Sequence, residues 1–216
     1  MAKKDAPRKL TKAEQQRKEF FEAESEKLVA QGYERKNLTF GVVEANVWAI
    51  VVTLPIFLPF LIAYCVMWGK GDFLLPWWGY LVGMGILIVL IVVHELIHGA
   101  VFACFARDGL KSVAFGVIWS MLTPYCTCRE SLKRKHYMLA ILAPTVVLGI
   151  LPAAVALAIG SWGMLLIGIF MILSGGGDVM CAIKLATYRT KGKECLFFDH
   201  PYEVGVAVFE RPAKKA

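Results

Sequence analysis

His94-Glu95-Leu96-Ile97-His98 is an HExxH pentad. Four residues make about one helical turn, so His94 and His98 share a face and can chelate a single zinc ion. Glu95 stands beside them, placed to take a proton from an attacking water. The surroundings sharpen the signal. Between Pro76 and Ala106 the pentad holds the only ionisable side chains apart from Tyr80 and Cys104. On a surface helix such residues cost nothing, but in hydrocarbon they are expensive, and an ionisable cluster there marks a functional site.

A catalytic zinc site needs three protein ligands and one open position. From residue 47 to 188 the other carboxylates are Asp72, Asp108, Glu130 and Asp178. The first three fall in expected loops, which leaves Asp178 as the only further carboxylate within an apolar segment. His94 and Asp178 also lie at matched depth, about 26 Å along their helices by helical rise. Asp178 follows Gly175-Gly176-Gly177. Three glycines weaken a helix by about 1 kcal/mol each and suit an unwound turn or a close approach. Broken helices at membrane depth line cavities. His94, His98 and Asp178 are therefore the expected metal ligands.

The elements that must position these groups are read from the hydropathy. The chain has 216 residues, 57% of them hydrophobic and 19% charged, with a mean hydropathy of +0.57. That is too apolar for a soluble domain and predicts an all-α membrane protein of about four transmembrane helices. The spans are expected near 47–68, 76–106, 137–159 and 162–188, with kinks at Pro55 and Pro59. Residues 1–43 read as a polar tail, 44–188 as the membrane domain and 189–216 as a second tail with a strand-like Val204–Phe209. Thr11 and Glu14 match a capping box, and the helix that follows is expected to be solvated. Val113–Leu122 is too short to span and reads as a re-entrant, hairpin or interfacial piece.

The net charge of +7 sits in the tails and in the loop at 107–135. By the positive-inside rule both termini and that loop face the cytoplasm. Nucleic acid is a poor partner, since no basic-aromatic motif accompanies the charge. No short apolar core follows Met1, so no cleavable signal peptide is expected. The six cysteines do not form a secreted disulfide framework, and Cys126 with Cys128 reads as a reduced loop pair. His136 could donate to an oxyanion or cap a helix, and His200 reads as a turn residue.

HELIHG at 94–99, Pro124-Tyr125-Cys126-Thr127-Cys128, the run at 133–152 and Gly-Gly-Asp at 176–178 carry a resemblance. The chain resembles the site-2-type integral-membrane metalloproteases, and more closely the small prokaryotic membrane family called "putative zincin peptidases". The resemblance spans about residues 78–210. It implies Zn2+ on His94, His98 and Asp178, Glu95 as general base, and cleavage of a membrane protein or peptide in or near the lipid bilayer. Better-known site-2 proteases carry their third ligand in Asn-Pro-Asp-Gly or Leu-Asp-Gly, whereas here the glycines precede the aspartate. The alternatives are a non-proteolytic zinc-binding membrane scaffold and a metal transporter. The adjacent base argues against the scaffold, and the lack of an internal repeat argues against the transporter.

Overall fold

A computed structural model describes residues 12–69, 77–118, 123–201 and 203–213. The capping box at Thr11 and most of the expected turn at 69–75 lie outside them. The chain begins with helix α1 (Lys12–Ala30), strand β1 (Glu34–Phe40) and the long helices α2 (Val42–Trp68) and α3 (Trp77–Phe105). A 3-10 turn (Gly109–Ser112) leads into strands β2 (Val113–Ile118), β3 (Thr123–Cys128) and β4 (Leu132–Lys133). Helix α4 (Arg134–Pro144), a π-helical segment (Thr145–Ile150) and helix α5 (Leu151–Ile159) then form one continuous rod. Helices α6 (Trp162–Ser174) and α7 (Gly176–Thr187) and strands β5 (Lys193–Asp199) and β6 (Val204–Pro212) complete the chain.

Among the described residues, three helical segments are long and apolar enough to cross a membrane: Glu44–Trp68, Trp77–Phe105 and Arg134–Ile159. The pair α6 and α7 would make a fourth, bent by 51° at its break. Helix α2 continues through Pro55 and Pro59 as a single element. Its C-terminal end is fixed to the end of α5: Tyr64 Oη donates to the Gly160 carbonyl at 2.7 Å and Trp68 Nε1 to the Leu157 carbonyl at 2.9 Å.

The fold is not all-α, and this corrects the expectation from hydropathy. Strands β1, β6, β5 and β4 form an antiparallel sheet in that order, and β2 and β3 form a separate hairpin. The residues read as tails thus pair with each other, Arg35 opposite Phe209 and Leu196 opposite Phe209 on the other side. The apolar piece at Val113 is the first strand of the hairpin, one of the three forms expected of it.

The sheet is covered on both faces, which explains the unbroken burial of β6. Successive strand residues point to opposite faces. Val206, Val208 and Phe197 pack on Phe102, Tyr137, Ile141 and Leu185 from the helices. Ala207, Phe209 and Phe198 pack on Phe21, Leu28 and Tyr33. Helix α1 is therefore a docked layer rather than a solvated tail: Phe21, Ser25 and Leu28 recur on one face and are buried. The Phe21 ring lies edge-on to Phe198, 5.2 Å between centroids.

Glu210 ties the sheet to the helices. It is 4% exposed and accepts from Lys36 Nζ on β1, Tyr188 Oη after α7, and Lys193 Nζ on β5. The Lys36 bond, with help from Tyr188 and Lys193, holds its carboxyl down at about 2, below the ordinary 4.5. A carboxylate with a lowered folded-state value stabilises above its ordinary value and loses that contribution as pH falls through the lowered one. Wild type should therefore lose thermal stability between about pH 4.5 and 2 more steeply than Glu210→Gln. At neutral pH the substitution should cost about 1–3 kcal/mol, the range for hydrogen bonds to charged groups. Melting in detergent across pH checks both; parallel pH profiles would contradict the account.

Candidate metal centre

The pentad lies in the C-terminal half of α3, where one helical face meets α4 and β3 and reaches Asp178 on α7. His94 and His98 are both buried, on adjacent turns of one face. Their Nε2 atoms stand 3.1 Å apart. Asp178 Oδ2 lies 3.2 Å from His94 Nε2 and 3.4 Å from His98 Nε2. Bonds of about 2.0–2.1 Å to a tetrahedral ion would put neighbouring ligand atoms about 3.3 Å apart. The two nitrogens and the oxygen thus form one triangular face of the right size. Two imidazole nitrogens aimed at each other would repel through their lone pairs, and a shared cation relieves that. By donor chemistry and spacing, His94, His98 and Asp178 fit a zinc ion.

The surrounding structure fixes these donors. His98 Nδ1 sits 2.9 Å from the Ala140 carbonyl on α4. A carbonyl can only accept, so Nδ1 carries the proton and Nε2 is left as the lone-pair donor. Phe102, one turn further along α3, stacks on the His98 ring at 6.4 Å. Asp178 is in the first turn of α7, just past the break. A Cβ on Gly175 would collide with Thr145, and one on Gly176 would come within 2.7 Å of Ala49 on α2. A Cβ on Gly177 would meet nothing within 4 Å. Two of the three glycines are therefore required by close helix approach, and that approach delivers Asp178 to α3.

Glu95 is half-buried and receives a hydrogen bond from the Cys126 backbone N–H on β3. The hairpin register explains the direction. Arg129 N–H donates to the Ser112 carbonyl, which makes that pair a bonded one. With Phe115 opposite Cys126 and Val113 opposite Cys128, alternation turns the backbone groups of both cysteines away from β2. The outer edge of β3 therefore faces the metal centre. Cys128 N–H on the same edge donates to Asp199 Oδ2 at 3.0 Å. Gly99, directly after the pentad, makes room for this crossing, since a Cβ there would collide with Phe115.

A cavity of about 380 Å³ opens on these groups, lined by His94, Glu95, His98, Asp178, Tyr137 and Asp199 among others. That volume suits a segment of ligand together with water. Asp199, Tyr137 and His200 were not singled out as site residues by the sequence. Asp199 takes a hydrogen bond from Tyr137 Oη as well as from Cys128. Burial pushes its carboxyl up, against the pull of those two donors. The only sequence signal was a carboxylate at the end of a strand, in Asp199-His200-Pro201. His200 is buried in the cavity wall, its Nδ1 accepting from the Glu203 N–H at 3.1 Å. His136 is elsewhere, stacked flat on Phe105 at 4.2 Å. Cys126 and Cys128 are free thiols on β3.

This geometry describes a largely helical protein in which three convergent donors could hold a metal ion beside the Glu95 carboxylate and an open strand edge. Residues 87–192, just under half of the chain, match the model of a family described as "Putative zincin peptidase". The match supports a zincin-like metallopeptidase family, and with it metallopeptidase chemistry and zinc as the cofactor. No curated protein and no solved structure matches the chain.

The glycine break yields a direct test. Gly175→Ala should lower both thermal stability and zinc affinity, the stability by about 1–3 kcal/mol as in other overpacked sites. Adding Thr145→Ala removes the colliding hydroxyl and should restore part of both. Equal zinc content and melting temperature for wild type and Gly175→Ala would contradict the packing argument.

Proposed function

We propose that the chain is a zinc-dependent intramembrane endopeptidase of the site-2 type, cleaving a membrane protein or peptide. The observation that carries this reading is the Glu95 carboxylate beside three convergent donors on otherwise apolar helices. When bound, zinc would polarise a scissile carbonyl and acidify water. His94, His98 and Asp178 would hold it, with the Ala140 carbonyl keeping His98 in the ligating tautomer. Glu95 takes a proton from the attacking water and returns it to the leaving amine as the peptide bond breaks. The apolar helices around the pentad restrict water to the cavity.

The substrate is expected to lie extended along the outer edge of β3, since an exposed edge pairs with an unwound peptide by strand addition. Cys126 N–H, now held by Glu95, is the donor such a strand would use. Strand β2 is the far strand of the hairpin from the metal cavity, whose lining takes Pro124, Tyr125, Cys126 and Thr127 from β3. With the positive-inside rule, the sheet and both termini lie on the cytoplasmic side of the cell membrane. The scaffold alternative has no use for Glu95.

Glu95→Gln should retain zinc and fold while cleavage falls by about 10²–10⁴-fold, the usual contribution of a general base. Incubating wild type and variant in proteoliposomes with membrane peptides, and reading products by mass spectrometry, checks this. Undiminished cleavage by Glu95→Gln would remove Glu95 from the reaction. Unchanged cellular function in the same variant would favour the scaffold.

A further inference from the structure

A second cavity, of about 340 Å³, adjoins the metal cavity. Tyr125, Thr127, Asp199 and His200 line both, so the two compartments share a wall. Its roof is α1 and its back is β5, both outside the segment 87–192 that matches the peptidase family. The floor, from Ala114 to Arg129, lies within that segment.

Two arginines face into it. Arg17 on α1 lies over the Tyr125 ring, 4.0 Å from its centroid. Arg129, after β3, lies over the Phe20 ring at 5.9 Å. Phe198 and Phe115 add further aromatic wall. Stacking engages the face of a guanidinium and leaves the N–H donors in its plane free. Arg17 Nε is buried and has no hydrogen-bond partner among the described residues. Neither guanidinium pairs with a carboxylate among those residues. The one acidic residue in the lining, Asp199, is already bonded to Tyr137 and to Cys128 N–H. A buried donor without an acceptor is costly; the Asp199 carboxylate attracts Arg17 without hydrogen-bonding it, and the exposed Arg129 adds a second positive charge.

The geometry points to a substrate subsite: this cavity takes an acidic side chain, or a terminal carboxylate, of the peptide that occupies the metal centre, bound by Arg17 and Arg129. A planar carboxylate matches the in-plane donors of a guanidinium, and the aromatic rings suit the adjoining chain. The shared wall favours a peptide over a lipid phosphate. A chain lying along β3 past Glu95 passes Tyr125 and Thr127, which line both cavities. Phe21 anchors α1 in the core, so Arg17 is held in place before any ligand arrives.

This inference rests on the endopeptidase reading, and the test separates the two. A set of fluorogenic peptides, identical except for one Glu walked along the positions flanking the scissile bond, is offered to full-length protein in proteoliposomes. One register should be cleaved with kcat/KM about 10- to 100-fold above its Gln counterpart, the range for one hydrogen-bonded charge. Arg17→Gln with Arg129→Gln should abolish that preference and leave the Gln peptides cleaved as before. Cleavage without charge preference, or a preference that survives both substitutions, would overturn the subsite and leave the peptidase standing. The same peptides are titrated onto Glu95→Gln by fluorescence anisotropy. Arginine-dependent binding of the Glu peptide with no cleavage by wild type would uphold the subsite and remove the peptidase. Arginine-dependent binding of phosphatidylglycerol nanodiscs over phosphatidylcholine ones, with no response to peptide charge, would assign the cavity to lipid and overturn the proposal.

Discussion

Two imidazole nitrogens and a carboxylate oxygen within 3.4 Å of each other are the constraint around which this chain is built. Such a cluster is unfavourable among apolar helices unless an ion balances it or water reaches it. Much of the local architecture serves to hold the three together. The pentad spacing brings two of them onto one face of α3. The third needs a helix that breaks, because Asp178 must project from the first turn of α7 while α6 continues at a different angle. Gly175 and Gly176 permit that break by letting Thr145 and Ala49 approach where a side chain would stand.

The sheet has a different role. Strands from the two ends of the chain and the two-residue strand β4 close over the ends of α3, α4 and α7, with Val206 and Val208 in the shared core. Asp199, at the end of β5, reaches from that sheet to both Tyr137 and the β3 edge. The sheet thus sets the position of the hairpin, and the hairpin sets the strand edge beside Glu95. The donor cluster and the strand edge beside Glu95 are linked through one carboxylate that belongs to neither.

Much of the centre could be read from the sequence because its signals are local or by elimination. HExxH is a one-turn pattern, and Asp178 was the only remaining carboxylate in an apolar run. The glycine triplet marked the break. The sheet was less legible for a physical reason. Glu34–Phe40 is mostly polar, its residues half-buried or exposed in a pattern that does not alternate, and its partner β6 lies at the other end of the chain. Only the apolar run from Val204 was strand-like by itself. Helix α1 misled because its buried stripe is narrow, three residues among many charges, and no local rule says that Phe21 finds Phe198. Asp199 was missed for the same reason: its partners are Tyr137 and Cys128, far away in sequence.

The central claim is that His94, His98 and Asp178 together hold one zinc ion. Zinc per chain in detergent-purified protein tests it most directly, comparing wild type with His98→Ala and Asp178→Ala, each checked for fold by melting. About one zinc in wild type, lost in both folded variants, is the result the account predicts. Zinc retained in Asp178→Ala, or absent from folded wild type, would contradict it and leave the cluster as buried polar packing.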